Sequence, residues 1–323
     1  MTTIAATPRL VTVFGGSGFL GRHVVQALAR RGYRVRVAVR RPDLANYVTP
    51  AGNVGQVMPV QANVRVRWSV DRAVAGADHV VNLVGILHET GRQRFDAVQD
   101  FGARAVAEAA RAVGAGLTHV SALGADPHST SVYARTKASA EEAVLATVPG
   151  AVVLRPSIMF GPEDGFFNKF ANMARYLPFL PLVGGGHTKF QPAYVADVAE
   201  AVARSVDGAI AGGRIYELGG PGVLSFRECM ERMLEVIERK RLLLPVPWWL
   251  ASLQGSVLGL LPNPIVTADQ VELLRTDNIV SVEAEADGRT FSGIGISPRG
   301  IEPVLPSYLW GFRPAGQFSR KAA

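Results

Sequence analysis

Cysteine is almost missing from this chain: Cys229 stands alone among 323 residues. That excludes an internal disulfide and any zinc site built on cysteines. Its plain reading is a small apolar residue on a helix. Histidine is sparse as well, and His88, His119, His128 and His187 fall at no metal-ligand spacing. They read as loop or surface histidines, and no metal is expected. Charge is scarce: charged residues make up 19% and hydrophobic ones 48%, as in a compact, rather apolar globular protein. Long basic runs are lacking too. The 34 Lys and Arg exceed the 27 Asp and Glu by seven, yet they are scattered, with short clusters such as Arg40-Arg41. No phosphate backbone is tracked by such a pattern, so nucleic acid is not an expected partner. The excess suits an anionic cofactor, an acidic protein or an acidic membrane surface. Met1 to Arg9 is too short for a signal or transit peptide, which leads to an expected reducing, cytoplasmic setting.

What the chain does have is glycine in one telling place. Residues 10 to 21 read LVTVFGGSGFLG. An apolar run, Leu10 to Phe14, is a buried strand; Gly15, Gly18 and Gly21 follow, then a helical pattern from Phe19 to Arg31. Gly15 permits a tight turn, Gly18 lets a pyrophosphate approach the backbone, and Gly21 lets helix and strand pack closely. The phosphates then meet free N–H groups at the positive end of the helix. This order of elements predicts a dinucleotide site.

Strand and helix patterns alternate to about Pro156, as in a doubly wound parallel α/β sheet. The expected strands are 10–14, 34–39, 55–60, 79–84, 117–121 and 151–154, with helices at 19–31, 95–113 and 133–147. A helix at 195–206 and a strand at 214–218 return to that sheet. The expected organisation is a Rossmann domain, 8–162 with 190–220, and a smaller, mostly helical domain from 163–189 and 221–323. Asp197 is expected to cap the helix that follows it.

Leu242 to Ala268 is 27 residues without a charged side chain. Pro245, Pro247, Pro262 and Pro264 divide it, leaving Trp248 to Leu261 as the longest uninterrupted part. Fourteen residues make about 21 Å of helix, against about 30 Å of hydrocarbon core; the segment does not span. Trp249, Leu250, Leu253, Val257, Leu260 and Leu261 share one face, with Ser252, Gly255, Ser256 and Gly259 mostly opposite. Behind Arg239, Lys240 and Arg241, the segment reads either as lying in a membrane interface or docking onto a membrane subunit, or as an ordinary core helix.

Arg40 ends the second strand, 19 residues past Gly21, and no acid lies between Arg34 and Pro42. An acid there binds a ribose 2′-hydroxyl, whereas arginine pairs with a 2′-phosphate, so NADP(H) is favoured and NAD(H) remains an option. Asn63, after the third strand, is placed for the adenine edge. Val84 and Gly85 let backbone pass close to the cofactor. Tyr133 and Lys137 form Y-x-x-x-K and share a helix face. In working enzymes with such a pair the ammonium lowers the phenol pKa, allowing proton exchange with an alcohol or carbonyl. Ser121, at a strand end, would orient that carbonyl. Arg155-Pro156 closes a buried strand and braces the pocket.

GGSGFLG, VNLVG, HVSALGA, YARTK, VVLRPSIMFGPED and YVADVAEAV together resemble the extended or atypical short-chain dehydrogenase/reductases. FGPEDGFFNKFANMARYLPFLPL, KFQPAYVADVA and LLRTDNIVS more narrowly resemble the accessory NAD(P)H-binding subunit of respiratory complex I and its bacterial relatives. The resemblance covers roughly residues 8 to 285. It implies a nucleotide, typically NADPH, held without turnover beside membrane-bound quinone-reductase subunits, peripheral on the inner face of the membrane. It also implies that Gly15, Ser17, Gly18, Phe19, Leu20 and Gly21 hold the pyrophosphate, with Arg40 at the 2′-phosphate and Asn63 at the adenine. Ser121, Tyr133, Lys137 and Pro156 would line the nicotinamide end. Ser121 and Tyr133 are only 12 residues apart, which speaks against turnover, and Asn63 stands where an acid is usual. The alternative is an active NADP-dependent reductase or epimerase on a hydrophobic or quinone-precursor substrate, as in ubiquinone synthesis.

Overall fold

The structure is a computed structural model that describes residues 9–258 and 267–316. Its alternation of buried apolar strands with amphipathic helices makes a seven-stranded sheet. The strands are Leu10–Phe14 (β1), Arg34–Val39 (β2), Val57–Gln61 (β3), His79–Asn82 (β4), Gly116–Val120 (β5), Val152–Pro156 (β6) and Arg214–Leu218 (β7). Their order across the sheet is β7-β6-β5-β4-β1-β2-β3. β1 lies parallel between β2 and β4, with Val13 opposite Val37 and Val81. β2 with β3, β4 with β5, and β5 with β6 are parallel as well. The order reverses at β1 and β4, and that reversal opens a crevice at the strand ends. This is the expected doubly wound Rossmann sheet.

Helices Phe19–Arg30 (α1), Arg67–Val74 (α2), Phe101–Ala112 (α3) and Val132–Thr147 (α4) connect these strands. The periodicity left α2 unread because it is only eight residues long. The helix begins at Phe95 as expected, and its next residues, Asp96–Asp100, form a π-helical turn. The strand expected to reach Val84 stops at Asn82, whose Oδ1 accepts the N–H of Val84 and bends the chain out of the sheet (3.1 Å). Val84 and Gly85 therefore lie in the loop beyond it.

The chain divides into two compact units. One holds the residues up to Ser121 with Thr136–Arg155 and Val198–Tyr216; the other holds Ala122–Arg135, Pro156–Asp197 and the chain from Glu217 onward. The first unit's core gathers Phe14, Val80, Leu117 and Val153 from the strands and Val106 from α3. The second is mostly helical after β7. Its core joins Phe160, Phe167, Phe226, Met230 and Leu305, with Phe166, Phe170 and Phe226 in edge or tilted ring contacts. Cys229 is buried within it on the helix Phe226–Val236, as read. Burial pushes its thiol up to about 12. We expect no modification by thiol reagents in native buffer and full modification in denaturant; labelling of the native protein at a denatured rate would contradict this burial.

Two expectations are corrected here. His119 is not a surface residue: it sits in β5, 1% exposed, with Nδ1 3.2 Å from the Asn82 amide. A single position in a strand does not reveal which face is covered, and here helices cover both. Asp197 lies inside the first turn of the helix Val195–Asp207 rather than before it. Its carboxylate accepts the Arg299 N–H and two guanidinium N–H bonds (2.7, 3.0 and 2.6 Å), so it anchors a distant segment of its own unit.

The uncharged stretch resolves into a strand and a helix. Leu242–Val246 pairs in parallel with Phe179–Val183, Leu242 opposite Phe179 and Leu244 opposite Pro181. One face of this ribbon puts Leu180 and Leu182 in the core. Side chains alternate along strands, so the other face carries Phe179, Leu242 and Leu244, all exposed. The helix runs Trp248–Leu258; Leu260, Leu261 and the rest of the expected segment to 266 lie outside the described residues. Its small face is the packed one: Ala251 is buried, and a Cβ on Gly255 would come within 2.8 Å of the Ala268 backbone. Trp249 and Leu253, on the apolar face, are 69% and 57% exposed. Of the two readings, the inward-facing core helix is not what is seen. Among the described residues no helix is long and apolar enough to cross a membrane.

Candidate nucleotide site

The turn after β1 is built by backbone constraints. Gly15 adopts φ +78°, left-handed space that favours glycine, and Gly18 N–H donates to Gly15 O (2.9 Å). A Cβ on Gly21 would lie 2.2 Å from Gly15 O, so only glycine lets α1 sit this close. No side chain caps α1 at Gly18, and no acid lies in its first turn, so its free N–H groups and dipole favour an anion. Tyr47 steadies the loop from outside by donating its hydroxyl to Ser17 O.

A cavity of about 270 Å³ opens at these strand ends. Gly15, Ser17 and Gly18 form one side, Arg40 and Asn63 another, and Val84 and Gly85 a third. Seven of the residues read from the sequence are thus brought together. Phe19, Leu20 and Gly21 do not line it; Leu20 and Gly21 are buried in the contact of α1 with the sheet. Asn63 Oδ1 accepts the Arg65 N–H (3.1 Å), which folds the end of β3 against the cavity. Arg65 and Gln93 also line it and were not singled out in the sequence. Arg65, two residues past Asn63, carried a positional signal; Gln93 carried none.

Farther along the sheet, Ser121 follows β5 and Lys137 stands on α4. Ser121 is buried and its Oγ has no hydrogen-bond partner among the described residues. An orphaned buried hydroxyl is costly unless a ligand satisfies it. Lys137 is buried too, with Nζ 3.3 Å from Val120 O, and a Cβ on Gly85 would come 3.3 Å from that ammonium. Burial pushes the Lys137 pKa down to about 8, opposed by the Glu141 carboxylate one turn on. Glu141 in turn holds Arg155 through two bonds of 2.9 and 2.6 Å. With Glu141 buried and Arg155 half-buried, the pair ties α4 to β6.

Tyr133 behaves otherwise than the motif suggests. It lies one turn before Lys137 on α4, in the second unit. Burial and then the Asp269 carboxylate push its phenol up to about 12, not down. Asp269 takes the N–H of Val132 (2.8 Å), the hydroxyl of Ser131 (2.9 Å) and, at 3.4 Å, the N–H of Tyr133. It thus satisfies the start of α4 from a remote segment. The signal for that segment was T-A-D-Q at Thr267 to Gln270, a capping box that the structure contains. Pro156, also in the second unit, is buried at the end of β6. Among the described residues no cluster of His, Cys, Asp or Glu is arranged to hold a metal.

A glycine turn feeding an uncapped helix, at the point where strand order reverses, makes this a nicotinamide-dinucleotide-binding α/β protein. The chain belongs to the NAD dependent epimerase/dehydratase family, whose model matches residues 11–219. It is 35% identical over 320 residues to NADH dehydrogenase [ubiquinone] 1 alpha subcomplex subunit 9, mitochondrial, of Arabidopsis thaliana, covering 95% of this chain and 79% of that protein. It is 38% identical over 174 residues to a ceramide reductase of Caulobacter vibrioides, covering 54% of each. Among solved structures, UDP-glucose 4-epimerase of Thermus thermophilus in complex with NAD superposes with a TM-score of 0.68 at 22% identity, covering 95% of this chain and 99% of that one. At that identity the match speaks for the fold.

Proposed function

We propose that this chain is an accessory subunit that holds NADPH in a membrane-associated, quinone-reducing complex and does not turn it over. Gly15, Ser17, Gly18 and the start of α1 at Phe19 and Leu20 hold the pyrophosphate, and Gly21 keeps that helix close. Arg40 takes the 2′-phosphate, Asn63 the adenine, and Val84 and Gly85 pass beside the nucleotide. Ser121, Lys137, Tyr133 and Pro156 serve the nicotinamide end. When bound, the nucleotide supplies hydride-transfer chemistry; this chain's own residues bind and orient it.

The observation that carries this reading is the outward apolar surface of the second unit. Leu242 is 68% and Trp249 69% exposed, and Lys240 beside them is exposed as well. A strand pair that leaves Phe179, Leu242 and Leu244 exposed, next to a helix that packs on Ala251 and Gly255 and exposes Trp249 and Leu253, is built to be covered. Basic residues at the edge suit an anionic headgroup region or an acidic partner. The similarity to the Arabidopsis subunit supports the same assignment, and so does a Tyr133 phenol held high beside Asp269.

The test is gentle purification from membranes, followed by denaturation and mass spectrometry of the released nucleotide. The expected result is sedimentation with membranes and about one NADPH per chain, unreactive toward quinones and carbonyls, with Leu242→Asp/Trp249→Asp released to the supernatant. A protein that never sediments with membranes overturns the reading.

A second reading, an active NADP-dependent reductase on a hydrophobic alcohol or carbonyl, is favoured by the orphaned Ser121 hydroxyl together with the intact Tyr133/Lys137 motif. The partial similarity to a ceramide reductase supports it. NADPH oxidation that is abolished by Tyr133→Phe would establish this reading instead.

A further inference from the structure

The cavity has two arginines, Arg40 and Arg65, and no acidic residue among the described residues that line it. Among the described residues neither guanidinium has a carboxylate partner; each is held by one turn of chain. Arg40 Nη1 donates to Gln93 Oε1 (2.6 Å) and Arg65 Nη1 donates to the carbonyl of Arg92 (2.6 Å). Arg92 and Gln93 are adjacent, in a tight turn closed by reciprocal backbone bonds between Thr90 and Gln93 (3.0 Å each). The two guanidinium groups thus converge on neighbouring positions of one turn and use only one N–H each. Two like charges so placed repel unless an anion is shared between them.

We propose that Arg65 is a second ligand of the nucleotide 2′-phosphate, acting with Arg40 as a clamp whose spacing the Thr90–Gln93 turn sets. This rests on the dinucleotide reading above and extends it to the residues that choose between NADPH and NADH. Arg40 reaches the phosphate from the end of β2 and Arg65 from beyond β3, leaving several N–H groups for charge-assisted bonds. Gln93 is a specificity residue in the same clamp. Its neutral amide orients Arg40 without competing for the charge, where a carboxylate would neutralise the guanidinium and repel the phosphate.

The test measures dissociation constants for NADPH and NADH on the stripped full-length protein by nucleotide fluorescence, with unfolding midpoints to confirm folding. Arg65→Met keeps the apolar stem. It is expected to weaken NADPH ~10–50-fold, the range of one or two lost charge-assisted bonds, and to leave NADH within about twofold. Gln93→Glu is expected to shift preference toward NADH. Equal losses for both nucleotides in Arg65→Met would place Arg65 on the adenine or ribose and overturn the clamp, as would no change in either. Should the unmodified protein bind neither nucleotide, the dinucleotide reading itself fails, and the clamp with it.

Discussion

Gly21→Ala is expected to abolish stable nucleotide retention and to destabilise the first unit by about 1–3 kcal/mol, in the range of overpacked core positions. The added Cβ would stand 2.2 Å from Gly15 O and 2.6 Å from two Gly16 backbone atoms. None of these is the far end of a flexible side chain, so α1 itself must move away from β1. That displacement carries the N–H groups of Phe19 and Leu20 away from the position proposed for the pyrophosphate. It also disturbs Gly15, held in its turn by the bond from Gly18 N. Denaturant unfolding and nucleotide content after gel filtration read the two effects separately. A variant with wild-type stability and full nucleotide occupancy would show that the tight contact of α1 with the loop is not what shapes the site.

Acid is expected to unfold this protein earlier than its carboxylates alone would require. His79 and His119 are both buried in the sheet. His79 Nε2 lies 2.8 Å from Thr118 Oγ1, which lies 2.6 Å from Ser205 Oγ, so its polar edge is satisfied within the core. Burial pushes His79 down to about 4, with nearby Arg9 adding to the shift. Burial pushes His119 down to about 3, with the Lys137 ammonium adding to it. In the unfolded chain both titrate near 6.5. The folded state therefore binds fewer protons between those values, and stability falls as pH drops through that window. At pH 5 the loss is about 2 kcal/mol for each histidine, a large share of the ~5–15 kcal/mol that holds a typical domain. Urea midpoints from pH 8 to pH 4.5 should fall steadily below about pH 6.5. Flat midpoints down to pH 5 would mean these rings are protonated or exposed in the folded protein.

Much of the first unit was legible because its signals are local. The spans of β1, β2 and β7 agree with the periodicity to the residue, and glycine or arginine follows each of them. The boundaries that moved are set by local detail that apolar spacing does not report. β4 stops at Asn82 because its own side chain takes the Val84 N–H. The π-helical turn at Asp96–Asp100 leaves no mark in apolar spacing. Short helices such as α2 carry too few turns for a period to show.

The candidate site divides the same way. The glycine loop, Arg40 and Asn63 follow from their distances to strand ends, because a parallel sheet delivers all its strand ends to one edge. Arg65 and Gln93 meet the cavity through a turn 27 residues away from Arg65 in the chain, which no spacing rule encodes. The helix carrying Tyr133 and Lys137 is as the motif implies, yet the phenol is held up beside Asp269, 136 residues distant.

By itself, then, the sequence determined the doubly wound fold, the glycine cradle and the existence of an uncharged segment too short to span a bilayer. Those properties depend on neighbours along the chain, through backbone freedom and hydrophobic periodicity. The tertiary structure alone decided which face of that segment turns outward, which histidines lie in the core and what charge stands beside Tyr133. Each of these is set by burial and by electrostatics between distant residues, and both depend on what the folded chain packs together.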